Sequence, residues 1–303
     1  MGLILLDCHH YVPPTTISNH FFEEFLDTSH EWIKQRTGIH HRHYSDEGVS
    51  QMVVKMVQEL SIPRPEKIKL LITSSVSQDY MIPTISAMAH KALGLGEDVF
   101  TFDYNMACTG FIGGFILAEK ILGPGEQALV IGAERLSEKI NFRDRTTAML
   151  FGDGAAVAWL EKTEEPFIHC TGTIPTWDLT LGLGDREKIE MDGKNIYKFA
   201  TSTLPKVITR LLEEGGLTME EIDHVVLHQA NERILQSVAK KTGHREKFYT
   251  NLQHVGNTSS ASIGLCLGEM KEKGMLKNKD TLLLVGFGGG LTYGGGIVQW
   301  NGL

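Results

Sequence analysis

Four cysteines in 303 residues, none in a C-x-x-C pair, leave no disulfide framework and no cysteine zinc site. Cys8, Cys108, Cys170 and Cys266 are scattered along the chain and read as reduced thiols of a cytoplasmic protein. No apolar run approaches the ~20 residues that a membrane-spanning helix needs. The opening MGLILLDCHHYVPP lacks the basic start and the apolar length of a signal peptide. Basic runs are missing too. Nothing exceeds a pair such as Lys240-Lys241, and the formal net charge is −8, which argues against general nucleic-acid binding through a basic face. There is no Walker loop and no G-x-S-x-G. GFGGGL (286–291) lacks the last glycine of G-x-G-x-x-G and runs on into the strand-like GGIVQW, and the same objection removes FGDGAA (151–156) as a dinucleotide fingerprint. The cluster His40-His41-Arg42-His43 has no acidic or cysteine ligands beside it and reads as a solvated loop, so no metal is expected.

What the chain does have is an ordinary apolar fraction of 42%, enough for a sizeable core, and an alternation of strand-like and helical segments that favours an α/β class. It also repeats itself weakly. KIKLLITSSVS, VFTFDYNMACTGFIGGFILAEKIL, QALVIGAE and FGDGAAVAWLE are answered by EIDHVVLHQAN, KFYTNLQHVGNTSSASIGLCLGEMKEKG, TLLLVGFGGG and TYGGGIVQW. Each series reads strand, strand into a small-residue helix, strand, glycine turn, strand. Such similarity predicts duplicated halves about a pseudo-two-fold axis, 1–162 and 163–303.

Cys108 lies in NMACTGFIGGF, where a strand turns into an apolar helix. Unpaired N–H groups and the macrodipole at a helix start favour a thiolate, so a lowered pKa is expected. A lone buried cysteine is more often core. His228 in HQAN and Asn257 in GNTSSAS change that balance, because cysteine, histidine and asparagine together make a thiol acyl-transfer site. An oxyanion formed in such a reaction needs backbone N–H donors. Cys108 supplies one, and the glycine tail 286–296 supplies another.

These motifs resemble β-ketoacyl-[acyl-carrier-protein] synthase III, a condensing family of the thiolase superfamily. The resemblance runs through DTSHEWIKQRTGI (27–39), NMACTGF, HQANERI, GNTSSAS and GFGGGLTYG, in order and across nearly the whole chain. It implies a five-layered αβαβα fold and a homodimer in which the segment 78–85 reaches across to the partner's acyl pocket. It implies that Cys108 takes the acyl group from acyl-coenzyme A. His228 and Asn257 would then bind the thioester carbonyl of malonyl-acyl-carrier protein and stabilise the enolate left by decarboxylation. The enolate attacks the acyl-cysteine to give a 3-ketoacyl product, initiating fatty-acid synthesis without a cofactor. The second oxyanion donor would be the Gly289 N–H. Trp32 and Arg145 match an adenine clamp, a sensible pairing of indole and guanidinium. Thr28 and Arg36 match other coenzyme A contacts. Lys194 stands where the family commonly has asparagine, and the segment after Thr171 is short. An acidic chain that docks an acidic carrier protein needs a local basic patch, for which Lys198, Arg233, Lys240 and Lys241 are the candidates.

Three other readings fit parts of this pattern. A related enzyme would deliver the same acyl-cysteine to a secondary metabolite, a biotin precursor or an ester. A papain-like thiol hydrolase shares the order Cys, His, Asn, but lacks the local C-G-S-C-W context. A degenerate, supporting subunit would have lost the cysteine or histidine.

Overall fold

The computed structural model of the chain describes residues 2–184 and 187–302. Its strands are β1 (Gly2–Tyr11), β2 (Thr15–Ser18), β3 (His41–Tyr44), β4 (Ile68–Ser74), β5 (Phe100–Tyr104), β6 (Gln127–Glu134) and β7 (Gly154–Thr163), then β8 (Ile168–Thr173), β9 (Leu179–Thr180), β10 (Glu190–Met191), β11 (His224–Leu227), β12 (Phe248–Tyr249), β13 (Thr281–Gly288) and β14 (Thr292–Trp300). Its helices are α1 (His20–Glu23), α2 (His30–Thr37), α3 (Val49–Gln58), α4 (Ile85–Leu93), α5 (Gly110–Ile121), α6 (Gly193–Gly215), α7 (Glu232–Thr242), α8 (Leu252–Val255) and α9 (Ser262–Glu272).

The strands form two sets with the same internal order. β5-β4-β6-β7-β1 mirrors β12-β11-β13-β14-β8, and the sets meet where β1 runs parallel to β14 through Ile4–Gln299 and Leu5–Trp300. Buried on both faces, these strands read as continuous apolar runs, as in LLLVGFG of β13 and QALVIGAE of β6.

Three apolar clusters separate the layers. One packs α3 and α4 on the first set, the second surrounds α5 and α9, and the third packs α6 and α7 on the second set. Helices α5 and α9 touch strands of both sets, which places them in the middle layer. This is the αβαβα order. A helix in that position must be apolar all round, and α5 buries Phe111, Ile112, Phe115 and Ala118. The two helices approach at Gly264, where a Cβ would lie 2.8 Å from the Phe111 ring and also meet Ala156.

The histidine-rich segment is a correction. It is β3, paired with β2, and Arg42 is fully buried rather than solvated. Its guanidinium donates to Ile17 O, Asn19 Oδ1 and Met149 O, at 3.2, 2.9 and 2.5 Å, and lies 4.7 Å above the Phe22 ring. Those acceptors come from two segments far from Arg42 in the chain, 17–19 and Met149, which local reading does not bring together.

Candidate active site

Each middle-layer helix is entered through a single 3-10 turn, Ala107–Thr109 before α5 and Ser259–Ala261 before α9. The first residue of each turn has a left-handed backbone, φ 46° at Ala107 and 47° at Ser259. Non-glycine residues adopt this at a cost of order 1–3 kcal/mol when the surroundings force it. The two turns are in contact across the pseudo-two-fold axis. Cys108 and Ser260 therefore occupy equivalent places, and the Cys108 thiol lies 3.4 Å from the Ser259 Oγ. The end of β13 passes against the cysteine so closely that a Cβ on Gly288 would sit 2.7 Å from the Cys108 Cβ.

Cys108, His228 and Asn257 all line one cavity of about 410 Å³, and all three are buried. The exposed rim is formed by Arg36, Tyr197 and Arg233. A second cavity, about 700 Å³, also reaches Cys108 and is lined by Ser75, Val76, Gln78, Leu136, Ile189 and Gly289 among others. The sulfur thus sits where two spaces meet. Cys8, Cys170 and Cys266 are buried free thiols that line neither cavity.

The hydrogen bonds orient both polar partners. His228 Nδ1 lies 2.7 Å from Ser262 Oγ, which also receives the Gln229 N–H at 3.4 Å. We assign the Ser262 hydroxyl, which accepts from the backbone, as the donor to Nδ1, which places the imidazole proton on Nε2. Burial pushes His228 down to about 3, so the ring is neutral at working pH. Phe287 packs against it, ring centres 5.1 Å apart. The Ser259 N–H donates to Asn257 Oδ1 at 2.9 Å, so the Asn257 Nδ2 group is the donor left for the cavity. The backbone of Asn257 is pinned to the first half by Asn257 N to Leu150 O, 2.9 Å, and Gly152 N to Asn257 O, 3.0 Å. The result is two neutral N–H donors facing the thiol's cavity.

One electrostatic expectation is overturned. Burial pushes the Cys108 thiol up to about 12, with the Glu134 carboxylate acting in the same direction, against the Ser259 hydrogen bond and its own N–H. The helix start offers donors, but the dry surroundings outweigh them. The group is therefore a thiol at neutral pH. Among the described residues, neither the Cys108 N–H nor the Gly289 N–H donates to another protein group.

Of the proposed coenzyme A contacts, Arg145 lies 4.1 Å above the Trp32 ring and Arg36 lies 5.6 Å from the same ring. Thr28 Oγ1 and Arg145 Nε are buried without partners. Asn231 Nδ2 donates to Arg36 O at 3.1 Å and so ties α2 to the start of α7 beside the rim. Lys194 lines the same cavity, next to the Asp192 cap of α6.

The basic candidates do not all converge. Arg233 is on the rim, 5.9 Å from the Tyr197 ring, and Lys198 is exposed on the adjoining α6. Lys240 and Lys241 lie two turns further along α7, about 10 Å away at 1.5 Å per residue. Lys241 Nζ donates to Thr201 O at 2.7 Å, a structural contact with α6. Helical spacing put them on one element but not at one end of it.

Two residues of the cluster went unrecognised in the sequence. Ser259 was visible only as a small loop residue. Glu134 is the one charged residue in the strand QALVIGAE. That anomaly was the available signal.

The fold and site together define a thiolase-like condensing enzyme, an acyltransferase. Residues 102–173 match the family model 3-Oxoacyl-[acyl-carrier-protein (ACP)] synthase III, and residues 212–300 match its C-terminal counterpart. A Clostridium novyi protein named beta-ketoacyl-[acyl-carrier-protein] synthase III is 37% identical, over 96% of this chain and 97% of that one. The crystal structure of 3-oxoacyl-[acyl-carrier-protein] synthase III from Aquifex aeolicus superposes with a TM-score of 0.91 at 32% identity, covering 99% of this chain and 100% of that one. The priming β-ketosynthase of the R1128 polyketide pathway superposes at 0.90 with 29% identity, covering 99% and 96%. The chain belongs to the β-ketoacyl-[acyl-carrier-protein] synthase III family.

Proposed function

We propose that this enzyme transfers an acyl group from acyl-coenzyme A to Cys108 and condenses it with malonyl-acyl-carrier protein, releasing carbon dioxide and 3-ketoacyl-acyl-carrier protein. The observation that carries the reading is the shared cavity: one thiol and two neutral N–H donors, from His228 Nε2 and Asn257 Nδ2. Those donors suit the enolate oxygen left by decarboxylation, and the Cys108 and Gly289 N–H groups suit the oxyanion of acyl transfer. Trp32 and Arg145 would hold the adenine, with Thr28 and Arg36 nearby. No cofactor is required. The test is a coupled one. Acyl-coenzyme A should add one acyl mass to the protein, and malonyl-carrier protein should then discharge it as 3-ketoacyl product with release of carbon dioxide. An adduct that malonyl-carrier protein leaves in place, or that water removes, would overturn the reading.

The likeness to a priming ketosynthase of a polyketide pathway keeps a second assignment open, the same chemistry feeding a secondary metabolite. A panel of acyl-coenzyme A donors separates the two.

The carrier protein would dock at Arg233 and Lys198, beside the cavity rim. Rim charges chiefly set association rate and salt dependence. Arg233→Glu is expected to raise the KM for malonyl-carrier protein and to leave acylation by acyl-coenzyme A little changed. Adding Lys240→Glu should contribute less, given the distance of Lys240 and Lys241 from the rim. Equal losses in both half-reactions would place the docking surface elsewhere.

A homodimer fits the open edge at β5, where Phe100 is 58% exposed, and the apolar Tyr80, Met81 and Ile82 of the 78–85 segment. Sedimentation of Phe100→Lys should show a shift to monomer, and an unchanged sedimentation coefficient would move the interface. A cytoplasmic location is supported by the buried free cysteines. Among the described residues no helix is long and apolar enough to cross a membrane.

A further inference from the structure

We propose that Asp144 is a positioning residue of the coenzyme A site: its carboxylate folds the 141–148 turn that sets the Arg145 guanidinium against Trp32. The inference deepens the coenzyme A reading above and rests on it.

Arg145 stands in a turn, and fixing a long side chain there costs rotamer freedom. Its guanidinium nevertheless lies 4.1 Å from the centre of the Trp32 ring. Its Nε is buried and has no hydrogen-bond partner among the described residues. A buried donor left unpaired is costly, and beside a ligand site the missing acceptor is one that the ligand brings. The ion pair recorded for Arg145 does little to hold it. Asp27 Oδ2 is 3.8 Å away on a fully exposed side chain, and such surface pairs contribute little. The geometry that holds Arg145 is that of its own turn.

Asp144 closes that turn. Its Oδ1 accepts the Thr146 N–H at 2.8 Å and the Thr146 hydroxyl at 2.7 Å, and its Oδ2 accepts the Thr147 hydroxyl at 2.6 Å. Its backbone oxygen accepts the Thr147 and Ala148 N–H groups at 3.2 and 2.9 Å, and its own N–H donates to Asn141 O at 2.9 Å. Donors on both residues after Arg145 thus converge on the one residue before it, which fixes the Arg145 backbone from both sides. Burial works against the Asp144 charge, yet the bonds from Thr147 and Thr146 hold its carboxyl below the usual range.

Both ends of the turn are anchored. Phe142 packs edge-on against Phe21, Phe25 and Tyr44, with ring centres 6.3, 6.2 and 6.3 Å away. Thr147 and Ala148 are fully buried, and Met149 O accepts from Arg42 at 2.5 Å. Phe21 belongs to α1 and Phe25 follows it, so the turn that carries Arg145 docks on the segment that leads into the Trp32 helix. Between these anchors the Asp144 carboxylate is what sets the course of the exposed chain.

Three readouts test this on the intact enzyme: coenzyme A binding by calorimetry, acetylation of Cys108 by acetyl-coenzyme A, and acetylation by S-acetylpantetheine, which lacks the adenine nucleotide. Asp144→Ala should weaken coenzyme A binding and raise the KM for acetyl-coenzyme A about tenfold, the worth of one desolvated cation–π contact. The rate at saturating acetyl-coenzyme A and the reaction with S-acetylpantetheine should be little changed. Thr147→Val keeps the shape and removes one donor, so it should show the same selective loss at smaller size. Asp144→Asn keeps an accepting oxygen and should recover part of the loss. Should Asp144→Ala fail to fold, these two variants carry the same comparison. The decisive measurement is the double variant. Arg145→Ala should weaken coenzyme A binding at least as much as Asp144→Ala, and the two together should be no weaker than Arg145→Ala alone, because Asp144 acts through Arg145. Additive losses, an equal fall with S-acetylpantetheine, or wild-type KM in Asp144→Ala would each overturn the proposal. Wild-type protein that binds no coenzyme A would sink the coenzyme A reading and the proposal with it, whereas normal wild-type binding with unaffected variants sinks the role of Asp144 alone.

Discussion

Cys108→Ala is expected to abolish the covalent acyl adduct with acyl-coenzyme A. Four thiols are present, and all four are buried. Burial holds Cys8, Cys170 and Cys266 well inside the apolar layers with raised thiol pKa values, so none can approach a coenzyme A thioester. Cys108 differs by position. It is the only one of the four that lines the cavities described above, and it lies at their junction. Alanine keeps the turn and the packing against Gly288 while removing the sulfur. The change should therefore read as complete loss of chemistry with unchanged thermal unfolding. Intact mass after exposure to acyl-coenzyme A, with peptide mapping of any adduct, checks this. An adduct at full level, or one mapping to another cysteine, would remove Cys108 from the mechanism.

His228→Ala and Asn257→Ala should separate the two half-reactions. Both side chains are oriented by partners that leave one N–H donor facing the cavity. Losing one preorganised oxyanion donor typically costs about a hundredfold or more in rate. Each variant should still form acyl-Cys108 while malonyl decarboxylation falls by at least that factor. Because His228 is held down to about 3, its protonation contributes no acid limb near neutral pH. Decarboxylation that fell away between neutrality and mild acid in step with histidine protonation would contradict the neutral-donor role. So would normal condensation in both variants. Carbon dioxide release against pH, measured on wild type and the two variants, is the decisive experiment.

Much of the site was legible because its residues sit at junctions that the chain marks locally. A strand running into a glycine-rich apolar helix announced the Cys108 turn. The answering pattern around GNTSSAS announced its counterpart, and the structure brings the two turns into contact. The Trp32–Arg145 pairing also appears in the structure, as a stacked contact. What failed was everything set by burial. A helix start argues for a thiolate, yet the dry interior pushes Cys108 the other way. HHRH looks like a solvated loop, yet Arg42, with three carbonyl and amide acceptors, is buried within a strand paired to β2. Arg233, Lys240 and Lys241 share a helix, yet only Arg233 reaches the rim.

The sequence by itself determined the α/β alternation, the mirrored series of strands, and the junctions that carry Cys108, His228 and Asn257, the three residues that line one cavity. Periodicity and turn chemistry act over a few residues, so they survive in the letters. Tertiary structure decided which of these groups share a cavity, which hydroxyl holds His228 Nδ1, and that Glu134 is buried against Ser260. Those outcomes depend on contacts between residues 34 to 151 positions apart, such as His228 with Ser262, Ser260 with Glu134 and Cys108 with Ser259. They depend also on how far each group is removed from water, a property of the folded layers and not of any segment.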